Sequence, residues 1–130
     1  MKRVIIASVD PNLVQQAGRA GLVRPFNDFN YWIVREHLDK NCNTLDEGYE
    51  QVYNRTIGNP KSGYYNSFKF AKPRLDSIFN FAEHYHLSVS ELVALTKQMV
   101  KAYNAIRDNF NAPNNGGREF EEFEADYFSV

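Results

Sequence analysis

The chain has 130 residues, of which 43% are hydrophobic and 15% aromatic, and its formal net charge at pH 7 is −1. A chain of this length can bury a core without metals or disulfides, and its weak charge excludes a global electrostatic attraction to nucleic acid. The single cysteine, Cys42, excludes an internal disulfide and is typical of a reducing compartment. We therefore expect one globular domain in the cytoplasm.

The N-terminal apolar run Val4–Val9 indicates a short strand. The run is too short for a signal peptide, and no stretch of the chain reaches the roughly 20 apolar residues that cross a bilayer, so we expect no membrane segment. Asp10 and Pro11 have the pattern of an N-cap followed by a first-turn proline, which predicts a first helix. Gly18 and Gly21 indicate that this helix frays.

Two helices are predicted next. Asn27 or Asp28 can cap the first of them. Its apolar residues recur at helical spacing and are Phe29, Trp32, Ile33 and Leu38. The sequence Thr44–Glu47 is a capping box, which begins a further helix that runs to about Asn54.

The following segment carries two prolines that predict helix starts. Residues 56–60 have the composition of a turn, and Pro60 can open a short helix through Phe68. Pro73 opens the next helix, which ends at a tight break at His86–Leu87.

The last part of the chain contains the longest helical pattern. Ser88–Glu91 is a second capping box, and apolar residues follow it at helical spacing as far as Phe110. Residues 111–117 are a linker by their Pro, Gly and Asn content, and residues 118–130 form an acidic aromatic tail. The predicted fold is therefore an all-α domain over residues 1–110 with this linker and tail.

The order of helix and turn signals in the second half of the chain follows a known pattern. Between Lys72 and Leu92 a proline opens one helix, an alanine lies inside it, and a Ser-x-x-Glu-Leu turn begins the next. The residues concerned are Pro73, Ala82, Ser88, Glu91 and Leu92. Together with the helix end and capped helix start in Leu38–Glu47, this arrangement resembles the Cro- and phage-repressor-like helix-turn-helix family over roughly half of the chain. The resemblance implies a helix-turn-helix core at about residues 28–96.

The resemblance also implies a function, that of a small phage-type or mobile-element transcriptional regulator. Such proteins bind double-stranded DNA as dimers, and the helix after the turn, here residues 60–70, enters the major groove. All charges between Glu50 and Asp76 are positive, as a phosphate backbone requires. The DNA-binding residues expected on this basis are Arg55, Lys61, Ser62, Tyr64, Tyr65, Asn66, Lys69, Lys72 and Arg74. The alternative for this segment is a solvated loop, with Tyr65 and Phe68 in the core.

A homodimer is expected for such a regulator, paired through the long helix Val89–Phe110 or the N-terminal apolar run. The alternative hypothesis is a protein-binding module on a helix-turn-helix frame, such as a phage-encoded, anti-CRISPR-like inhibitor of a host defence protein. Gly48 and Tyr49 favour it, because they stand where the family has a Leu-Ala pair. A third hypothesis is a structural component of a phage or mobile element.

The acidic aromatic tail favours the same alternative, because it could grip a basic protein partner. Its candidate interaction residues are Phe120, Glu121, Glu122, Phe123 and Tyr127, with the three aromatic residues on one face. The competing interpretation is that the tail docks on its own domain, since unburied aromatic rings would be a liability.

The histidines and the cysteine give no sign of a catalytic or metal site. Cys42, His37, His84 and His86 lack the CxxC or HExxH spacing of metal ligands. No Gly-rich phosphate loop or nucleophile elbow is present in the sequence. We therefore expect no enzyme, no catalytic residue, no metal and no cofactor.

Overall fold

The structure, a computed structural model, describes residues 9–129. Helix accounts for 74% of it and the described residues contain no strand, so the all-α prediction is confirmed. The strand predicted at Val4–Val9 lies outside the described residues, apart from its last position. The elements in chain order are α1 Pro11–Arg19, α2 Val23–Asn30, a π-helical turn Tyr31–Arg35, α3 Leu38–Asn41, α4 Leu45–Arg55, α5 Gly63–Asn66, α6 Phe68–His84, α7 Val89–Phe110 and α8 Phe120–Phe128.

The core is built around α7, which begins and ends where the sequence predicts. The Ser88 hydroxyl accepts from the Glu91 amide at 3.1 Å and the Glu91 carboxylate accepts from the Ser88 amide at 2.9 Å, which completes the capping box. The buried side chains of α7 are Val89, Leu92, Val93, Leu95, Thr96, Met99, Ala102 and Ile106. Helices α1, α2, α3 and α8 pack against it. Its apolar face is therefore covered within one chain rather than left open to a second subunit.

The first and last described helices hold each other in place. Asp10 caps α1 by accepting from the Asn12 amide at 2.9 Å. α1 ends at Arg19, between the two glycines that are predicted to mark its end, and Gly18 is buried in its last turn, where the Phe128 ring of α8 fills the space that a side chain would need. A Cβ atom on Gly18 would lie 2.3 Å from a ring carbon of Phe128. The Gln15 side-chain amide adds a hydrogen bond to the Phe128 carbonyl at 3.1 Å.

The second predicted helix has different boundaries. It begins at Val23 rather than at Asn27 or Asp28, because the apolar residues before these two polar ones already face the core. It then widens into the π-helical turn and stops at His37, which has a left-handed backbone with φ of 51°. Only one turn, α3, follows before α4.

Helices α4 and α6 pack side by side at the edge of the core. Thr44 caps α4 as predicted, since its hydroxyl accepts from the Glu47 amide at 3.1 Å. The predicted capping box is incomplete, because the Glu47 carboxylate accepts from the Thr44 hydroxyl at 3.2 Å rather than from the Thr44 amide. The start predicted for α6 at Pro73 is wrong: α6 begins five residues earlier, at Phe68, and contains Pro73. Pro60 does not open a helix, and the segment 60–70 expected to form one recognition helix is divided between the four-residue α5 and the first turn of α6.

Candidate binding surface

Large aromatic side chains are exposed where α5 meets α6. The exposed fractions are 47% for Tyr65, 50% for Phe68 and 74% for Phe70. Lys61 and Lys69 are exposed beside them. We call these five residues the aromatic–lysine surface. A cluster of exposed aromatic residues within six positions is typical of an interaction site, because it leaves apolar area in water in the free protein.

The surface is anchored by the residue next to Tyr65. The Tyr64 ring lies 5.1 Å from the rings of both Phe29 and Trp32, and its hydroxyl donates to the Asp28 carbonyl at 2.5 Å. The Ser62 hydroxyl accepts from the Tyr64 amide at 3.2 Å and thereby caps α5. Tyr64 and Ser62, both expected to contact DNA, therefore have structural roles.

Most cations expected to bind phosphate are paired with carboxylates, two of them from distant parts of the chain. Arg55 pairs with Glu36 at 3.7 Å, Lys72 with Asp76 at 2.7 Å and Arg74 with Asp28 at 2.5 Å. In the sequence, only Asp76 lies near this run of positive charge. The fold therefore places carboxylates beside this run of cations, which weakens the positive potential of the run.

The remaining polar candidates are accessible. Lys61 and Lys69 form no ion pair with any residue between positions 9 and 129. Tyr65 and Asn66 are also exposed. Of the nine residues predicted to bind DNA, these four are available to a ligand without breaking an internal contact.

Tyr49 links α4 to α6 next to this surface. Its hydroxyl donates to Asp76 at 2.6 Å, and Lys72 donates to the second oxygen of the same carboxylate. Burial alone would raise the pKa of the Asp76 carboxyl, but the hydrogen bonds from Lys72 and Tyr49 outweigh it and lower the pKa below its ordinary value. The pKa of the Tyr49 hydroxyl is raised, mainly by burial and secondly by its hydrogen bond to Asp76. The carboxylate thus holds the two helices together in its ionised form.

We expect Tyr49→Phe to lower the free energy of unfolding at pH 7 by about 1 kcal/mol, because one hydrogen bond to a carboxylate is lost. A carboxyl whose pKa is lower in the folded than in the unfolded state stabilises the protein above its unfolded pKa, about 4, and loses that effect as the pH falls through the folded value. The difference between the variant and the wild type should therefore shrink between pH 5 and pH 2.5 in urea unfolding. Tyr53→Phe is the control, because the Tyr53 hydroxyl makes no hydrogen bond in the described part of the chain. A difference that stays constant with pH would contradict the role of Asp76.

A cleft of about 410 Å³ lies between α4 and α6. Its apolar lining comes from Leu45, Tyr49 and Phe79, and acidic residues stand beside them. The exposed acids of the cleft are Asp46, Glu50 and Glu83. Gly48 is buried between the cleft and α3, where a Cβ atom would lie 3.3 Å from Leu38 and 3.4 Å from Phe79. The two residues that differ from the helix-turn-helix pattern, Gly48 and Tyr49, thus serve the packing of α4 against its neighbours.

The acidic tail forms α8 and packs on α1 and α7 of its own chain. Phe120 is buried under the Arg24 guanidinium, 4.2 Å from its ring centre, and Arg24 also pairs with Glu121 at 3.4 Å. Phe128, rather than the predicted Tyr127, is the second buried aromatic residue of α8, and Tyr127 is 44% exposed.

The other two candidate interaction residues of the tail, Glu122 and Phe123, both contact Arg118. Arg118 lies 4.4 Å from the ring centre of Phe123, pairs with Glu122 at 3.2 Å, and also pairs with Asp126 at 2.6 Å. Most of the residues predicted to grip a partner are therefore engaged inside the chain.

The cysteine and histidines occupy structural positions. Cys42 is 5% exposed and donates to the Gln51 side-chain oxygen at 3.4 Å, and burial raises the pKa of its thiol. His37 and His86 have left-handed backbones, with φ of 51° and 54°, at helix ends. Within residues 9–129 there is no group of three or more His, Cys, Asp or Glu side chains placed to hold a metal. No helix in the same range is long and apolar enough to cross a membrane.

Phe68 and Phe70 are site residues that the sequence does not predict, since its pattern places Phe68 at most in the core. A signal for them exists: residues two positions apart on a helix, such as Phe68 and Phe70, point about 200° away from each other, so a core on one side of α6 cannot bury both. Ala71 and Leu75 take the buried positions of that helix.

Comparison of the chain with protein-family models, curated proteins and solved structures finds no match.

Proposed function

We propose that this chain is a non-catalytic protein-binding module and that it binds its partner through the aromatic–lysine surface. The observation that carries the proposal is Phe70, which is 74% exposed and follows two further exposed aromatic residues, Tyr65 and Phe68, within six positions of the chain. Aromatic side chains are the most frequent anchors of protein interfaces because they bury a large area with few rotatable bonds. Lys61 and Lys69 would form the polar rim of such an interface.

The charge distribution favours a protein over nucleic acid. Three of the five cations near the surface are paired with carboxylates, and the net charge of the chain is −1. Five phosphate contacts would make binding to duplex DNA about 500-fold weaker between 50 and 200 mM salt, whereas two contacts change it about tenfold. A surface with two unpaired lysines thus supplies little of the electrostatic term on which DNA binding depends.

DNA binding by a helix-turn-helix regulator is the second candidate. It is supported by the exposed Lys61 and Lys69 together with the exposed hydrogen-bonding groups of Tyr65 and Asn66. In this candidate the four residues contact phosphates and base edges, and Phe68 and Phe70 pack against the sugar–phosphate backbone.

Photo-cross-linking tests the first candidate. With p-benzoylphenylalanine at position 70, we expect a cross-link to a discrete protein in an extract of the source organism, competed by unlabelled wild type but not by the variant Phe68→Ser/Phe70→Ser. The same photoreactive residue at Lys97, which is exposed on α7, is the matched control position. Equal cross-linking at both positions would contradict the proposal.

Duplex DNA separates the two candidates. We expect no measurable binding of a 30-base-pair duplex at 50 mM salt by fluorescence anisotropy. Binding that weakens at 200 mM salt and is abolished by Lys61→Ala/Lys69→Ala, with the fold intact by circular dichroism, would overturn the first candidate and support the second.

A further inference from the structure

We propose that a second copy of this chain occupies one half of the aromatic–lysine surface, in an antiparallel, two-fold arrangement along α6. This inference rests on the proposed function, because it assigns a protein partner to Phe68 and Lys69. It leaves Phe70 free for another protein, since Phe70 lies about 200° around the helix from Phe68.

The charges along α6 are separated by sign. Lys69, Lys72, Asp76, Asn80 and Glu83 follow one another at spacings of three and four residues, so they form one straight stripe on the helix. The stripe is cationic in its first turns and ends in a carboxylate.

Helix α4 extends this polarity. Tyr49 contacts Asp76, and Leu45 lines the cleft with Glu83, so α4 runs antiparallel to α6. The acidic beginning of α4, with Asp46 and Glu50, therefore lies beside the acidic end of α6. The face formed by the two helices is positive at one end and negative at the other.

A two-fold axis makes such a face complementary to itself. Lys69 and Glu83 are 14 residues apart, which is about 21 Å along the helix, and Asp76 lies midway between them. An axis through the position of Asp76 brings Lys69 of each copy to Glu83 of the other, and the same contact forms twice. Asp76 itself does not oppose this approach, because Lys72 and Tyr49 already bind its carboxylate.

Apolar contacts follow from the same arrangement. Phe68 is half exposed and precedes Lys69, so it arrives at the α4–α6 cleft of the second copy together with that lysine. The cleft offers about 410 Å³ and the apolar side chains of Leu45, Tyr49 and Phe79. Each copy therefore supplies one exposed ring and one apolar cleft, and the ring of each copy is buried in the cleft of the other.

Charge reversal tests the arrangement directly. We expect sedimentation equilibrium to show a reversible dimer of the wild-type chain, and Lys69→Glu or Glu83→Lys alone to weaken it at least about tenfold, because each turns two attractive contacts into repulsive ones. An equimolar mixture of the two variants should dimerise about as well as the wild type, since both contacts are then again between opposite charges. Lys97→Glu is the control, an exposed reversal on α7 that should leave the dimer unchanged.

Three results would overturn the inference. The first is a wild-type chain that stays monomeric at about 1 mM, and the second is a dimer that neither charge reversal weakens. The third is an equimolar mixture of two weakened variants that does not dimerise. None of these affects the cross-link expected at position 70, so the failure of the inference is distinguishable from the failure of the proposed function. Circular dichroism of each variant confirms that the fold is kept.

Discussion

Replacement of Gly18 by alanine is expected to lower the free energy of unfolding by about 2–3 kcal/mol and to detach α8 from the domain. The added Cβ would lie 2.3 Å from the Phe128 ring, a distance that no pair of non-bonded carbon atoms tolerates. The Cγ atom of Phe128 would also lie 2.4 Å from the new Cβ, so rotation of the ring about its own axis does not relieve the clash, and we expect α8 to move and lose the burial of Phe128. Denaturant unfolding measures the first effect, and faster proteolysis within residues 111–119 measures the second.

A double-mutant cycle attributes this cost to one contact. Phe128→Ala removes the ring, and in that background Gly18→Ala should stabilise the protein by up to about 1 kcal/mol, because alanine favours a helix over glycine. Gly63→Ala is the matched control, since a Cβ at Gly63 meets no atom within 4 Å. If the effects of Gly18→Ala and Phe128→Ala simply added, the ring would not be what excludes a side chain at position 18.

The second large effect is expected at Tyr64. Tyr64→Ala should lower the free energy of unfolding by about 2–3 kcal/mol, whereas Tyr65→Ala should change it by less than about 0.5 kcal/mol. The reason is that Tyr64 packs on Phe29 and Trp32 and donates to a backbone carbonyl, while Tyr65 is half exposed. Denaturant unfolding of the two variants makes the comparison.

The neighbouring pair also separates stability from binding. Tyr65→Ala should weaken the cross-link at position 70 with the fold intact, and Tyr64→Ala should weaken it by releasing α5 from α2. Equal losses of stability in the two variants would show that Tyr64 is not the anchor of the aromatic–lysine surface.

Helix ends could be predicted from the sequence where the signal is local. The Ser88–Glu91 capping box, the Thr44 cap and the Asp10–Pro11 start each depend on residues within one turn, and each lies where the sequence indicates. These contacts form whatever the rest of the chain does, so a local pattern is enough to identify them.

Pro73 shows where a local rule fails. A proline is typical of the first helical position, because it lacks an amide that would be unpaired there. Here it lies five residues into α6 and leaves the Lys69 carbonyl without its usual amide partner. Both residues are exposed, so water can bind that carbonyl, and the burial of Ala71 and Leu75 on the opposite side favours continuing the helix.

Asp28 shows why the site could not be predicted. Its position suggests a helix cap, but its carboxylate pairs with Arg74, 46 residues later, and its carbonyl accepts from Tyr64. The sequence order of charges contains no information on such long-range pairs, so a run without acids predicts a basic patch that the fold does not form. The packing of α2 against α6 pairs Arg74 with Asp28, and the approach of α4 to the end of the π-helical turn pairs Arg55 with Glu36.

The buried thiol of Cys42 gives the protein an internal probe of local opening. An alkylating reagent can reach this sulfur only when the corner between α3 and α4 opens, because the side chain is 5% exposed. When reclosing is fast, the labelling rate divided by the rate for an unfolded peptide equals the equilibrium constant of that opening. Helix α3 packs on α4, α7 and the π-helical turn. A variant that releases only α8 should therefore keep the wild-type labelling rate of Cys42, whereas a variant that loosens the whole domain should be labelled faster.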